Sequence, residues 1–123
     1  MSYHLVVADG GKKDGLAYGS FKVFNDRGYL IAHRQRIFGL GTSNQAEYKS
    51  LIMALTYCIN YGIMDISVIM DSKLTINQVK GKWGCEDKFL KRLNKIAKER
   101  VARLDSFSIS YMPERFIKQK LGH

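Results

Sequence analysis

The sequence predicts an α/β chain built on one mixed five-stranded sheet, with three antiparallel strands, then parallel βαβ crossovers, and helices covering the sheet. Two observations predict it. The first third holds three short apolar or alternating segments joined by tight polar turns, which is the pattern of an antiparallel meander. From residue 44 onward, helical periodicity alternates with short buried-strand runs, which is the pattern of βαβ units. With 123 residues, 46% of them hydrophobic, the chain has room for one compact domain, expected to span residues 1–123.

Each element follows in order. Tyr3 to Asp9 (YHLVVAD) reads as the first strand and is expected to end at a Gly10-Gly11 turn. A polar loop then runs through Lys12, Lys13, Asp14 and Gly15, and Ala17 to Phe24 reads as the second strand. Asn25-Asp26-Arg27-Gly28 is a tight turn before the return strand, Tyr29 to Phe38. Asn44 to Tyr61 is helical, with Glu47, Leu51, Ala54, Leu55 and Cys58 on one face and Gly62 as its stop. Asp65 to Met70 (DISVIM) is a buried strand, followed by a helix from Ser72 to about Lys80. A longer helix, Asp87 to Leu104, presents Leu90, Leu93, Ala97, Val101 and Leu104 to the core. Ser106 to Met112 alternates as the last strand, and Pro113 begins a tail ending at His123.

Composition excludes several classes. One proline and a 25% charged fraction do not fit a disordered or collagen-like chain. No segment approaches the ~20 apolar residues of a membrane span. The opening Met-Ser-Tyr-His lacks the basic-then-apolar design of a leader. The two cysteines, Cys58 and Cys85, have no zinc-like spacing, so a reducing cytoplasm is the expected setting and Cys58 a buried small hydrophobe.

Charge points toward function. Twenty Lys and Arg against eleven Asp and Glu leave a net charge of +9, which calls for a polyanionic partner, nucleic acid before an acidic membrane surface. The basic residues concentrate between Lys80 and Arg103, where the acids are Glu86, Asp87 and Glu99. A solvated helix face accounts for that segment as well as a phosphate-tracking surface does.

Within this basic chain, three acids are expected to meet. Asp9 ends the first strand, Asp71 follows the fourth, and Glu47 lies at the start of the helix between them, facing the sheet. With strands one and four as parallel neighbours, all three carboxylates gather at one sheet end, where ligands of such sheets bind. Close carboxylates need a cation, and oxygen-only ligation suits Mg²⁺ or Mn²⁺. Two such ions about 4 Å apart serve in-line displacement at phosphorus. Each acid also has a structural account: Asp9 as a turn residue, Asn44 to Glu47 as a capping box, and Asp71-Ser72 as an N-cap.

The ordered set, Asp9-Gly10-Gly11, then Thr42-Ser43-Asn44-Gln45-Ala46-Glu47-Tyr48, then Asp71-Ser72 and Gly81-Lys82-Trp83, resembles type 1 ribonuclease H over nearly the whole chain. It is similar to the compact members, without an extra basic helix or a hybrid-binding domain. The resemblance implies hydrolysis of the RNA strand of RNA–DNA hybrids with two Mg²⁺ or Mn²⁺ ions, giving 5′-phosphate and 3′-hydroxyl ends. It makes Asp9, Glu47 and Asp71 the metal-binding catalytic carboxylates. It makes Asn44 and Ser43 readers of 2′-hydroxyls, a group that separates RNA from DNA, and Gly10 a backbone approach to the RNA. Thr42 is implied in gripping a DNA-strand phosphate and Asn77 in DNA-strand binding. Lys80 and Lys82 are expected to track phosphates, with Trp83 either a flat surface beside them or a core plug. His4 and His33 are expected to be structural.

The tail departs from the family, which carries a fourth acid in its last helix. Residues 113–123 hold no Asp, and the acid's place falls near Gly122-His123, so either His123 replaces the fourth ligand, or the site runs on three carboxylates, or activity is lost. Two other functions fit the same fold: a DNA nuclease, and a hybrid-binding module without turnover. No obligate protein partner is evident, and a monomer is expected.

Overall fold

The structure, a computed structural model, describes residues 3–116. The elements run β1 (His4–Lys13), β2 (Leu16–Phe24), β3 (Leu30–Leu40), α1 (Ser43–Asn60), β4 (Asp65–Met70), α2 (Lys73–Val79), α3 (Lys88–Ala102) and β5 (Ser106–Tyr111). The five strands form one sheet in the order β3-β2-β1-β4-β5. β1 is antiparallel to β2 and β2 to β3, whereas β1, β4 and β5 run parallel. The expected element order and mixed sheet are both present.

Alternation along the strands sorts the two faces. Val6, Ala8, Phe21, Val23, Val68, Met70 and Ile109 join one core with Leu51, Ala54, Leu55 and Cys58 of α1 and Leu90, Leu93 and Ala97 of α3. Val7 and Ile69 form a smaller cluster on the opposite face with Leu5, Phe24 and Met112. The expected apolar face of α1 is buried in full. On α3, Val101 and the following Leu104 are only partly buried against the core. α1 closes at its C-terminus as expected, with Gly62 N–H donating to Ile59 O (3.2 Å) and Ile63 N–H to Cys58 O (2.8 Å).

Two local expectations are corrected. Gly10-Gly11 is not a turn: β1 continues to Lys13, pairing Gly10 with Gly19 and Gly11 with Tyr18. The turn is the two-residue Asp14-Gly15, both at positive φ (52° and 80°), the backbone a tight right-twisted hairpin requires. The capping box is Thr42 with Gln45, each side chain bonded to the other's backbone N–H, rather than Asn44 with Glu47. Glu47 therefore has no part in the cap.

A buried polar triangle ties the helices together. Tyr48 O–H donates to Gln78 Oε1 (2.7 Å), and Asn94 Nδ2 donates to the Tyr48 oxygen (3.1 Å). Gln78 Nε2 also donates to Gly84 O (3.0 Å), which fixes the connection between α2 and α3. That connection, residues 80–87, contains no further helix. No helix among the described residues is long and apolar enough to cross a membrane.

Candidate active site

Register brings the acids together. The parallel pairing of β1 with β4 matches Val7 to Ile69, so Asp9 and Asp71 stand equally far beyond that rung. Ser72, not Asp71, caps α2 by accepting from Thr75 N–H (3.2 Å), which leaves the Asp71 carboxylate outside the cap. Glu47, the fifth residue of α1, is 6% exposed. It reaches the end of β1, where Gly10 N–H donates to Glu47 Oε1. That contact needs glycine: a Cβ on residue 10 would lie 2.5 Å from the Ala46 carbonyl and 2.7 Å from Glu47 N. Gly10 thus lets α1 close onto β1.

One carboxylate oxygen from each of Asp9, Glu47 and Asp71 lies within 4.8 Å of the others. Two like unit charges about 5 Å apart repel by roughly 3 kcal/mol at an effective dielectric of about 20. Three such pairs approach the whole net stability of a small domain, about 5–15 kcal/mol. The titration behaviour follows. Burial first, then the charge of Asp71, raises Asp9 to about 7. Burial, then Asp71 and Asp9, pushes Glu47 well above the ordinary carboxylate range, against the opposing pull of the Gly10 N–H. Protonation or a cation relieves this cluster, and an all-oxygen donor set of this size fits a hard divalent ion.

The acids line a cavity of about 430 Å³ together with Gly10, Gly11, Lys12, Tyr18, Ser43, Asn44, Ser72 and Glu114. Of the residues expected from the sequence, Gly10, Ser43 and Asn44 are therefore brought to the acids. Thr42, Asn77, Lys80 and Lys82 are not among the lining residues. Thr42 is occupied in capping α1, and Asn77 Nδ2 donates to Lys73 O (2.8 Å). Lys80 and Lys82 are exposed just past α2. Trp83 is 49% exposed, so it is a surface ring and not a core plug. His4 and His33 lie in β1 and β3, outside the cavity. His123 falls outside the described residues.

Gly11, Lys12, Tyr18, Ser72 and Glu114 line the cavity without having been given a site role by the sequence. Glu114 was findable, because it follows the carboxyl end of a third parallel strand. Lys12 and Tyr18 were hidden by the misplaced turn, which took Lys12 out of β1. Burial raises the Cys58 thiol to about 11, in keeping with a packing role.

The family described as reverse transcriptase-like matches residues 8–118. A ribonuclease HI of Halobacterium salinarum is 35% identical over 106 residues, covering 86% of this chain and 53% of that protein. A bifunctional protein of Mycobacterium tuberculosis is 28% identical over 112 residues, covering 89% and 31%. The chain thus spans about half or less of the length of these relatives. The crystal structure of RNase H1 from H. salinarum superposes with a TM-score of 0.90 at 29% identity, over 94% of this chain and 89% of that one. The N-terminal RNase H domain from M. tuberculosis gives 0.90 at 25% identity, over 97% and 88%. A ribonuclease H1 in complex with an RNA/DNA hybrid shares the fold at 24% identity, with a TM-score of 0.81 over 94% and 89%.

Proposed function

Because the chain belongs to the reverse transcriptase-like family and carries the type 1 ribonuclease H fold, we propose that it is a metal-dependent endoribonuclease acting on the RNA strand of RNA–DNA hybrids. The observation that carries this reading is the meeting of three carboxylate oxygens within 4.8 Å in a chain of net charge +9. Acids held that close to one another, where a polyanion must approach, make sense as a cation cradle. The hybrid bound by a protein of the same fold supports the substrate class.

Asp9, Glu47 and Asp71 would hold two Mg²⁺ or Mn²⁺ ions. Such ions, when bound, activate water and stabilise the leaving oxygen at phosphorus. The chain's own residues do the rest. Gly10 N–H fixes one Glu47 oxygen and so holds that carboxylate beside Asp9 and Asp71. Ser43 and Asn44, exposed on the first turn of α1 and lining the same cavity, can donate to and accept from a 2′-hydroxyl. Gly10 lends a backbone free of side chain beside the RNA strand. Thr42, Asn77, Lys80 and Lys82 lie outside the cavity, where the DNA strand of a bound duplex would run. The products would carry 5′-phosphate and 3′-hydroxyl ends. Residues 1–123 would act as one catalytic domain and as a monomer. Two free cysteines, one of them buried, suit a reducing cytoplasm.

The test is incubation with end-labelled RNA–DNA hybrid, duplex RNA and duplex DNA, each with Mg²⁺, Mn²⁺ or EDTA. Cleavage of the hybrid RNA alone, abolished by EDTA, is expected. Cleavage of duplex DNA would make the chain a DNA nuclease on this fold, and metal-independent binding without cleavage would make it a hybrid-binding module.

A further inference from the structure

The connection between α2 and α3 is held from beneath by a chain of side chains that begins on α1, one residue past Glu47. Residues 80–84, which include Lys80, Lys82 and Trp83, are exposed throughout, so packing does little to fix them. Backbone bonds secure the near end. Lys82 and Trp83 N–H both donate to Asn77 O (2.9 and 3.2 Å), around Gly81, whose φ of 78° turns the chain out of α2. The far end is secured by a side chain, Gln78, whose Nε2 donates to Gly84 O (3.0 Å). Gln78 is itself held in one sense. Asn94 Nδ2 donates to the Tyr48 oxygen (3.1 Å), and the Tyr48 O–H donates to Gln78 Oε1 (2.7 Å), which leaves the Gln78 amide N–H to face Gly84. All three side chains are buried, where a polar group that loses its partner is costly to leave unpaired.

We propose that Tyr48, Gln78 and Asn94 are positioning residues for the hybrid, holding Lys82 and Trp83 in a fixed place relative to the acids, so that DNA-strand phosphates meet the connection while the RNA strand lies at Asp9, Glu47 and Asp71. This rests on the hybrid-nuclease reading above and adds to it a link between its two ends. The link is short. Glu47 and Tyr48 are neighbours on α1, yet Glu47 is bonded to β1 through Gly10 and Tyr48 to α2 and α3. One turn of helix therefore anchors both a catalytic carboxylate and the exposed connection. Apolar side chains of similar volume would hold three helices together without any polar group to satisfy. What the hydrogen-bonded chain adds is direction, because it ends on one carbonyl of an exposed segment. Ordering that segment before substrate arrives removes a cost from binding, which places the effect on affinity and KM, not on the chemical step.

Trp83 is the only tryptophan of the chain, so its fluorescence reports on the connection without any substrate. Wild type, Tyr48→Phe and Gln78→Leu are compared as full chains, each alone and combined with Lys80→Ala/Lys82→Ala, with circular dichroism to confirm folding at the assay temperature. Should Tyr48→Phe not fold, Gln78→Leu carries the test, since it keeps the bond between Asn94 and Tyr48. Trp83 anisotropy is read first, then affinity for an RNA–DNA hybrid in EDTA, then kcat and KM with Mg²⁺. Each variant should lower the anisotropy, weaken hybrid binding and raise KM by about three- to fivefold, and leave kcat within about twofold. In the Lys80→Ala/Lys82→Ala background the same changes should alter affinity by less than about twofold, because the connection has lost its grip on phosphate. A loss of equal size in both backgrounds would make the triangle a support of the fold alone and overturn the proposal. Anisotropy and affinity equal to wild type would overturn it too, as would a fall in kcat with KM unchanged. Wild type that binds hybrid without cutting it would overturn the nuclease reading, and the affinities in EDTA would still decide the proposal. Wild type that binds no hybrid would overturn both.

Discussion

The carboxyl end of the parallel strands and the surface of α3 treat charge in opposite ways. At the strand ends, Glu47 is buried and Asp9 partly so, held within 4.8 Å of Asp71 by strand register, a glycine and a helix start. On α3, Lys88, Lys91, Arg92, Lys95 and Lys98 are exposed to water, where each can move independently. Like charges forced together work against folding, whereas like charges spread over a wet surface are screened within a Debye length of about 8–10 Å. The first arrangement persists only because the backbone over-determines it, and so it carries positional information. The second fixes no geometry and contributes field alone. Chemistry at one atom belongs to the first region, and attraction of a polyanion to the second.

That contrast breaks most sharply at Glu47. Glu47→Gln should lower hybrid cleavage by at least about a thousandfold, because an amide cannot hold a cation as a carboxylate does. The same change should raise the Tm of the metal-free protein, since it removes one member of a mutually repelling set while keeping an oxygen for the Gly10 N–H. Thermal melts in EDTA alongside single-turnover cleavage would read both signs; a lowered Tm would mean that the charges do not oppose folding.

Gly10→Ala attacks the same region through the backbone alone. A Cβ placed 2.5 Å from the Ala46 carbonyl must push α1 away from β1, moving Glu47 off the other two acids. Activity should fall about a hundredfold and the Tm by several degrees. Unchanged cleavage would show that the close approach of helix and strand is dispensable.

A pH prediction carries a definite sign. Asp9 titrates near 7 in the folded protein against 3.8 for the free group, so the native state binds its proton more tightly than the unfolded chain. The metal-free protein therefore gains stability from this group as pH falls through 7 toward 4, and loses it as pH rises through 7. The Tm in EDTA should be higher at pH 5.5 than at pH 8, and Asp9→Asn should flatten that slope. Mg²⁺ should raise the Tm more at pH 8 than at pH 6, because a cation must displace the proton.

The smallest effect belongs to the basic surface. Replacing Lys80 and Lys82 together by Ala should weaken hybrid binding several-fold and reduce the log–log salt slope by about one to two units, with little change in the cleavage rate of bound substrate. An unchanged slope would return both lysines to the solvent.

Much of this was legible in the sequence, for physical reasons. The apolar face of α1, from Glu47 to Cys58, and the short run Asp65–Met70 are periodic signals that no loop chemistry disturbs. They sufficed to put Asp9, Glu47 and Asp71 at one sheet end. The hairpin between β1 and β2 was misread because two glycines outweighed the Asp14-Gly15 pair, although only the latter adopts the positive φ values a tight turn needs. Gly10 and Gly11 are strand residues whose missing side chains serve packing against α1 and under Tyr18. The Tyr48–Gln78–Asn94 triangle left no trace, since buried polar contacts between three helices have no sequence period. Glu114 carries no signal in the pattern of the tail itself, and its place at the cavity follows from the register of β5 with β4.

The central claim, that these acids form a cation-dependent centre for cutting hybrid RNA and not a binding surface, is tested most directly by Asp71→Asn. Single-turnover cleavage of one labelled RNA–DNA hybrid should be followed across Mg²⁺ and Mn²⁺ titrations, beside hybrid affinity measured in EDTA, for wild type and variant. The account predicts hybrid affinity within about threefold of wild type and no cleavage by the variant at any concentration of either metal. Cleavage by Asp71→Asn at a rate comparable to wild type would contradict it.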